Sequence, residues 1–157
     1  MKMIEKNYIV HKNTFALLPA RQIDYQTIVL ENNKQLHVRK TPFEIIRESC
    51  LHHWSTYEGS RQAVIHHFGF KQKTPVPIYP EKDLYFFPTR SPKNDDNIWL
   101  AYQPIRHVYE LTKHPPQTMI YFNNRESITI QVSKHIILSQ LNRTAKIYHQ
   151  RANYSSV

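Results

Sequence analysis

The residues best suited to chemistry lie between positions 41 and 70, where two pairs of adjacent histidines accompany the only cysteine of the chain. Imidazole and thiolate groups are preferred zinc ligands, so the cluster suggests a metal site. Adjacent residues on a helix, however, point about 100° apart, and both members of a pair rarely face the same ion. The usual Cys-x-x-Cys and i, i+4 histidine spacings are also missing. The residues concerned are Cys50, His52, His53, His66 and His67.

One histidine from each pair could still converge with Cys50 across a helical hairpin. Solvent-exposed or hydrogen-bonded histidines are the more common outcome. Cys50 also falls on an apolar helical stripe, where a small core residue is expected. We therefore expect no metal ion at these positions.

Motifs for cofactor binding and covalent catalysis are missing as well. With only two glycines, the chain has neither a P-loop nor a G-x-G-x-x-G loop. It also lacks the G-x-S-x-G and H-E-x-x-H motifs, and Asp95 and Asp96 lie in a stretch of turn composition. We expect no catalytic residue, no cofactor and no enzyme activity. A metal-dependent nuclease that uses His52, His66 or Asp95 remains an alternative.

The charge points to a polyanionic partner. Twenty-one Lys and Arg residues against twelve Asp and Glu residues give a net charge of +9, and no acidic residue follows Glu126. Such a balance is typical of proteins that bind nucleic acid or an anionic surface, although it also serves solubility. A non-specific RNA or membrane-surface binder is a second alternative, because the ten tyrosines and seven phenylalanines could stack on bases.

The compartment follows from what the sequence lacks. No apolar run approaches the ~18 residues that span a bilayer, and the N-terminal MKMIEKNYIVHKN has no apolar core of a secretion signal. A single cysteine cannot form an internal disulfide, which suits a reducing environment. We expect a soluble, cytoplasmic protein with no membrane partner.

The first forty residues predict strands and the next thirty predict helices. Residues 7–19 and 25–40 are rich in β-branched and aromatic residues, and Asn32-Asn33 is typical of a hairpin turn. Thr41, Pro42 and Glu44 then have the spacing of a helix N-cap with a capping box. A helical stripe follows at Phe43, Ile46, Cys50 and Trp54.

A second helix is predicted from just after Trp54, with Ser55 and Glu58 at capping-box spacing. Val64, Ile65 and Phe68 would face inward, and Gly69 would end the helix. Two helices with a short link in a basic chain allow a helix-turn-helix, with Ser60, Arg61 and Gln62 facing a groove. The alternative is a plain helical hairpin packed on a sheet.

The remainder predicts more strands and a final helix. Residues 74–80 suit a proline-punctuated edge, residues 83–88 a buried strand, and Asn123-Asn124 a second hairpin turn. Ile137, Leu141, Ala145 and Tyr148 mark a basic amphipathic helix to about Arg151, with residues 151–157 as a frayed tail. The expected fold is α+β: one domain over residues 1–157, mostly antiparallel strands, a central helical hairpin and a C-terminal basic helix.

An ordered set of blocks resembles the ComK family, the competence transcription factors of Gram-positive bacteria. The blocks are NTFALLP, IIRESCLHHWSTYEGSR, TPVPIYPEKDLYFFPTRSP, NIWLAYQPIRHV and NRTA, and they cover about residues 7–150. The resemblance implies a nucleoid-associated activator of genes for DNA uptake and transformation. It implies double-stranded DNA as the partner, bound as a homodimer at paired A/T-rich boxes mainly through the minor groove, with RNA polymerase as a further partner.

A narrow A/T minor groove has a deepened negative potential that attracts arginine, so basic residues are the expected DNA contacts. We place Arg61 first, because it follows a predicted helix start close to Gly59. The other expected contacts flank the helical hairpin, lie in the proline-bounded loop or mark the basic face of the last helix: Arg47, Lys71, Lys73, Arg90, Lys93, Arg143 and Lys146.

The C-terminus departs from the family pattern. The resemblance gives family members an extension after the RTA segment that a Clp-protease adaptor recognises and that supports activation. This chain stops at Val157, soon after that segment. The resemblance therefore does not extend adaptor-controlled degradation, or full activation strength, to this chain.

Overall fold

The computed structural model describes residues 3–155, and Met1, Lys2, Ser156 and Val157 lie outside the described residues. Within this range the first half of the chain forms β1 (Ile4–Glu5), β2 (Thr14–Pro19), β3 (Thr27–Glu31), β4 (Lys34–Val38), α1 (Pro42–His52) and α2 (Tyr57–Phe68). The second half forms β5 (Val76–Tyr79), β6 (Leu84–Pro88), β7 (Trp99–Ala101), β8 (Ile105–Thr112), β9 (Gln117–Phe122), β10 (Ser127–Ile130) and α3 (Lys134–Ser155).

The strands form two sheets. The larger has the order β1-β4-β3-β2-β7-β6-β5, and the smaller has the order β10-β9-β8. Every pairing between these strands is antiparallel except that of β1 with β4. The predicted α+β class, with mostly antiparallel strands, a central helical hairpin and a C-terminal helix, is confirmed.

Each face of the large sheet buries its own core. Alternate residues of a strand point to opposite faces, so Phe86 of β6 joins a core with Ile45 and Ile46 of α1. Its neighbour Phe87 joins a second core with Ile120 of β9 and Ile137 of α3. The fold therefore has three layers: the helical hairpin, the large sheet, and the small sheet together with α3.

Turn-forming residues predicted the local structure more reliably than apolar residue patterns did. Asn33 adopts a left-handed conformation (φ +68°) in the β3–β4 turn, as the Asn32-Asn33 pair predicts. The strand predicted before Lys12, however, is wrong, because residues 7–11 form no regular element. Val10 is buried, but its backbone N–H donates to Ser49 Oγ of α1 at 3.0 Å instead of to a strand.

Helix α1 begins where the sequence predicts, but it ends at His52, before the predicted stripe reaches Trp54. The Thr41 hydroxyl accepts a hydrogen bond from the backbone N–H of Glu44, and the Glu44 carboxylate accepts one from the backbone N–H of Thr41. The predicted capping box is therefore present. Trp54 does not belong to the buried stripe: it is 97% exposed and left-handed (φ +66°) beyond the end of the helix. Ile45 and Ser49 fill the face beside Ile46 and Cys50 instead.

Helix α2 is capped by Thr56 and not by Ser55. The Thr56 hydroxyl accepts from the backbone N–H of Gly59 at 2.9 Å, and a Cβ on Gly59 would lie 2.8 Å from that hydroxyl. A side chain at this position would therefore displace the Thr56 hydroxyl from its present position. The helix ends at left-handed Gly69, as predicted. Both helices pack on strands of the large sheet, as in the plain helical hairpin.

Helix α3 continues to Ser155, beyond the predicted end near Arg151. Its buried face includes Ile137 and Ile147, but also the polar residues Gln140 and Thr144. No helix among residues 3–155 is long and apolar enough to cross a membrane.

A buried carboxylate attaches the N-terminal segment to the sheet. Glu31 is 5% exposed, and its side chain accepts hydrogen bonds from the Tyr8 hydroxyl and from His11 Nε2. Burial acts to raise the pKa of Glu31, but these hydrogen bonds outweigh it and hold that pKa below its ordinary value. Burial and the bond to Glu31 raise the pKa of Tyr8, which keeps its hydroxyl protonated as a donor.

We expect Glu31→Gln to lower the free energy of unfolding by about 1–3 kcal/mol at pH 7, because it weakens charge-assisted hydrogen bonds in a buried site. A carboxylate with a depressed folded-state pKa contributes stability above its unfolded-state pKa and loses it as the pH falls. Wild-type stability should therefore decline more steeply than that of the variant below about pH 4.5. Urea denaturation across pH measures both effects. Glu110→Gln, on exposed β8, is the control, and equal losses would contradict this role.

Candidate nucleic-acid interface

Residues 70–74 connect α2 to β5 without regular secondary structure, yet side chains hold four consecutive backbone carbonyls of this stretch. Thr74 Oγ1 donates to the carbonyl of Phe70 at 2.6 Å. Arg61 Nη2 of α2 donates to the carbonyl of Lys71 at 2.8 Å. We call residues 70–74 the clamped segment.

Helix α3 supplies the other two donors. Arg143 Nη1 donates to the carbonyl of Gln72 at 2.8 Å, and Gln140 Nε2 donates to the carbonyl of Lys73 at 2.7 Å. The Arg143 guanidinium also lies 4.5 Å from the centre of the Phe70 ring, and partial burial lowers the pKa of Arg143 below its ordinary value. The clamped segment is therefore fixed from two helices.

The clamped segment forms one wall of a basic cleft. The cleft has a volume of about 440 Å³. Its lining contains three cationic side chains and no carboxylate. Lys71 is exposed, and Lys73 is half-buried with a left-handed backbone conformation (φ +49°). Because the backbone of the clamped segment is held, the points from which both lysine side chains extend are held as well. The lining is Tyr57, Arg61, Lys71, Gln72, Lys73, Thr74, Ser91 and Pro92.

The opposite wall comes from the loop between β6 and β7. Asn97 is 3% exposed, and its Oδ1 accepts from the backbone N–H groups of Thr89 and Arg90 at 3.0 and 2.9 Å. This buried amide fixes the start of the loop. Lys93, farther along, is exposed.

A second, larger cleft meets the basic cleft at Pro92, which lines both. This cleft has a volume of about 630 Å³ and includes Ile23, Phe43 and Lys93 in its lining. Ile23 is 100% exposed in the β2–β3 loop. Backbone hydrogen bonds from Ala20 to Gln26 (3.0 Å) and from Gln22 to Tyr25 (3.1 Å) close that loop. The second cleft is mixed in charge, because Asp95 lines it together with Lys93. The closed loop holds the apolar side chain of Ile23 in its lining.

The predicted contact residues divide into three groups. Arg61, Lys71 and Lys73 line the basic cleft, while Lys93 lies in the adjoining one. Arg143 holds the wall of the basic cleft, and Arg90 donates from Nη2 to the Gln131 carbonyl at 3.1 Å. The last two, Arg47 and Lys146, have no part in either cleft or its walls. Arg47 pairs with Glu58 at 3.3 Å, and Lys146 is exposed on α3.

The histidine pairs do not line the basic cleft. The ring of His53 stacks on Tyr79 at 4.3 Å, and its pKa is lowered by burial and by the neighbouring His52. His66 and His67 are exposed on α2. Across residues 3–155, no group of three or more His, Cys, Asp or Glu side chains is arranged to hold a metal ion.

Several residues that build the groove carry no charge and were missed. Gln140 is buried and bridges two carbonyls, that of Lys73 and that of Pro88, each at 2.7 Å. Asn97 and Ile23 were missed as well. A polar residue on the apolar stripe of α3 was the only available signal for Gln140, and nothing local distinguished Ile23.

Comparison with known proteins relates most of the chain to one family. Residues 5–154 match the family model described as ComK protein. The competence transcription factor of Bacillus subtilis (strain 168) is 24% identical over 142 residues, which cover 89% of this chain and 72% of that protein. No solved structure matches at a significant level.

We expect Gln140→Leu to leave the carbonyls of Lys73 and Pro88 without this donor and to lower the free energy of unfolding by about 1–3 kcal/mol. Backbone ¹⁵N order parameters of residues 71–74 should fall more than those of the sheet strands, because the clamped segment is released. Urea denaturation and ¹⁵N relaxation measure these effects. Asn142→Ala, on the exposed face of the same helix, is the control. Unchanged order parameters in the clamped segment would show that the bonds from Gln140 do not hold it.

Proposed function

Since the chain belongs to the ComK family, we propose that it regulates transcription of competence genes by binding A/T-rich double-stranded DNA. The competence transcription factor among its relatives supports the role in competence. The single observation that carries DNA binding is the basic cleft, where Arg61, Lys71 and Lys73 face a space lined by no carboxylate.

The clamped segment suits phosphate recognition. Contacts from Lys and Arg side chains to phosphates fix the register of a protein on the duplex. Arg61 and Arg143 each spend one N–H on a backbone carbonyl, and a guanidinium has five such donors. In this proposal the two arginines hold the wall, while Lys71 and Lys73 supply the mobile charges.

The adjoining cleft supports an approach through the minor groove. Proteins that bind there insert cations into the narrow groove and often place an apolar wedge between base steps, which bends the duplex. Ile23 is the wedge in this proposal, because it is fully exposed on a closed loop and lines the second cleft. Lys93 follows Pro92 beside it and supplies the cation.

Binding as a homodimer to paired boxes rests on the family resemblance. Two copies on one face of the duplex would double the phosphate contacts and therefore the salt dependence. The same proposal includes RNA polymerase as a partner during activation. Sedimentation of the protein with one-box and two-box duplexes tests the stoichiometry.

Wild-type protein should prefer paired A/T boxes to a scrambled G/C duplex. For six phosphate contacts, log K against log salt should have a slope of about −5 or steeper. Lys71→Gln and Lys73→Asn should each make that slope shallower by about 0.9 on both duplexes, because phosphate contacts carry no sequence information. Asn is chosen at position 73 because it tolerates the left-handed conformation.

Lys12→Gln is the matched control, since Lys12 is exposed before the start of β2 whereas the groove lies at the other end of that strand, beside Pro19. Fluorescence anisotropy at several salt concentrations gives the slopes. Equal affinity for the A/T and G/C duplexes would reject sequence-specific binding, and an effect of Lys12→Gln as large as the others would reject the basic cleft as its site.

We expect Ile23→Ser to reduce the bending of an A/T-box duplex while leaving its salt slope unchanged, because a polar side chain wedges base steps poorly. Fluorescence energy transfer between dyes at the two duplex ends reports the bend. Ile23→Leu keeps an apolar tip and should preserve bending. Neither substitution should change stability, since Ile23 is fully exposed. Unaltered energy transfer with Ile23→Ser would exclude the wedge.

A further inference from the structure

The small sheet has an inner and an outer face, and the outer face is aromatic. Ile120 and Val108 are paired across β9 and β8 and turn into the second core. The alternate residues form two rows on the other face. The rows are Ser127–Tyr121–His107 and Thr129–Met119–Tyr109, read from β10 through β9 to β8.

The rings of this outer face are in mutual contact and open to solvent. Tyr109 is 50% exposed and lies 5.7 Å from Tyr121 across the strands, with the rings at 89°. His107 lies 6.0 Å from Tyr109 along β8, tilted by 34°. Tyr121 is half-buried, and His107 is exposed. The sheet therefore presents a supported patch of π faces.

The charge around this patch suits a polyanionic strand. Arg125 in the β9–β10 turn is exposed at one end of the strands, and Lys113 in the β8–β9 turn is exposed at the other. Arg106 of β8 is not counted with them, because its Nη1 donates to the carbonyls of Gln103 and Ile105 at 2.6 and 3.1 Å. The nearest carboxylates point elsewhere. Glu110 pairs in register with buried Thr118 on the inner side of the sheet, and Glu126 accepts from the backbone N–H of Asn33 at 2.9 Å.

The size of the patch also favours bases over a protein partner. Three strands spaced by about 4.8 Å, with two rows of side chains, give a face of the order of 200 Å². A stable protein–protein interface uses about 800 Å² on each partner. Two or three stacked nucleobases fit the smaller area.

We propose that the outer face of the small sheet binds single-stranded nucleic acid by stacking unpaired bases on Tyr121, Tyr109 and His107. Duplex DNA cannot use this site, because its bases are already stacked on one another. Base stacking on aromatic side chains tolerates any sequence and gains from flanking cations. Arg125 and Lys113 serve that purpose by contacting the phosphates of the strand.

This site is independent of the proposed duplex function. None of the stacking residues lines the basic cleft or the cleft that adjoins it, except that His107 borders a separate groove between β8 and α3. Loss of one binding activity should therefore leave the other unchanged. The two proposals can fail separately.

The test uses a fluorescein-labelled 12-nucleotide oligothymidine and, in parallel, an A/T-box duplex. Wild-type protein should bind the single strand, and Tyr121→Val should weaken that binding about tenfold or more. Valine keeps a high β-propensity and removes the ring. Tyr121→Phe keeps the ring and should restore binding to within about threefold of wild type. Duplex affinity should not change in either variant, whereas Lys71→Gln should weaken only duplex binding.

Several results would overturn the proposal. These are the absence of oligothymidine binding by wild type, equal binding by Tyr121→Val, or weakening by Tyr121→Phe as large as that by Tyr121→Val. A dimer in sedimentation that Tyr121→Val dissociates, without oligothymidine binding, would identify the patch as an interface between two copies. Where Tyr121→Val fails to fold, photocrosslinking of wild type to a 5-iodouracil strand decides: crosslinks should map to β8 or β9, and crosslinks confined to other elements would refute the site.

Discussion

The hydrogen bonds to the clamped segment are the constraint on which the candidate interface depends. Four successive carbonyls, from Phe70 to Lys73, accept side-chain donors from the segment itself, from α2 and from α3. An irregular stretch of backbone that lacks such partners is usually mobile. Here the donors replace a strand ladder, and they join the helical hairpin to the last helix across the edge of the large sheet. The basic cleft exists because that wall stays in place.

Local signals predicted most of the fold because their physics acts over a few residues. The Thr41–Glu44 capping box and the Asn32-Asn33 turn are complete within four positions, so the sequence contains all that they need. Helical periodicity worked only where the helix continued. Trp54 was placed on the buried stripe by extrapolation, but the backbone turns left-handed there and the side chain leaves the core. Val10 kept its burial without a strand because α1 satisfies its backbone.

The sequence predicted which cationic residues belong to the candidate site but not the contacts that they make within the protein. That Arg61 and Arg143 contact DNA stays a prediction, and the structure adds that both donate to backbone carbonyls of the clamped segment. The bond from Gln140 to Lys73 spans 67 residues, and that from Arg143 to Gln72 spans 71. No periodicity or spacing rule reports contacts of that range. Ile23 was missed for the opposite reason, because only the loop closure shows that its exposure is fixed.

The strand edges of both sheets have a consequence for contacts between copies of the chain. Strand β1 has only two residues, and β5 carries Pro77, which cannot donate to a neighbouring strand. Strand β8 departs from regular pairing at two places, between Ile105 and His107 and between Glu110 and Thr112. Such bulges bend an exposed edge and spoil it as a template for another chain. The edges formed by β1, β5 and β8 are therefore poor templates for polymerisation of the chain into fibres.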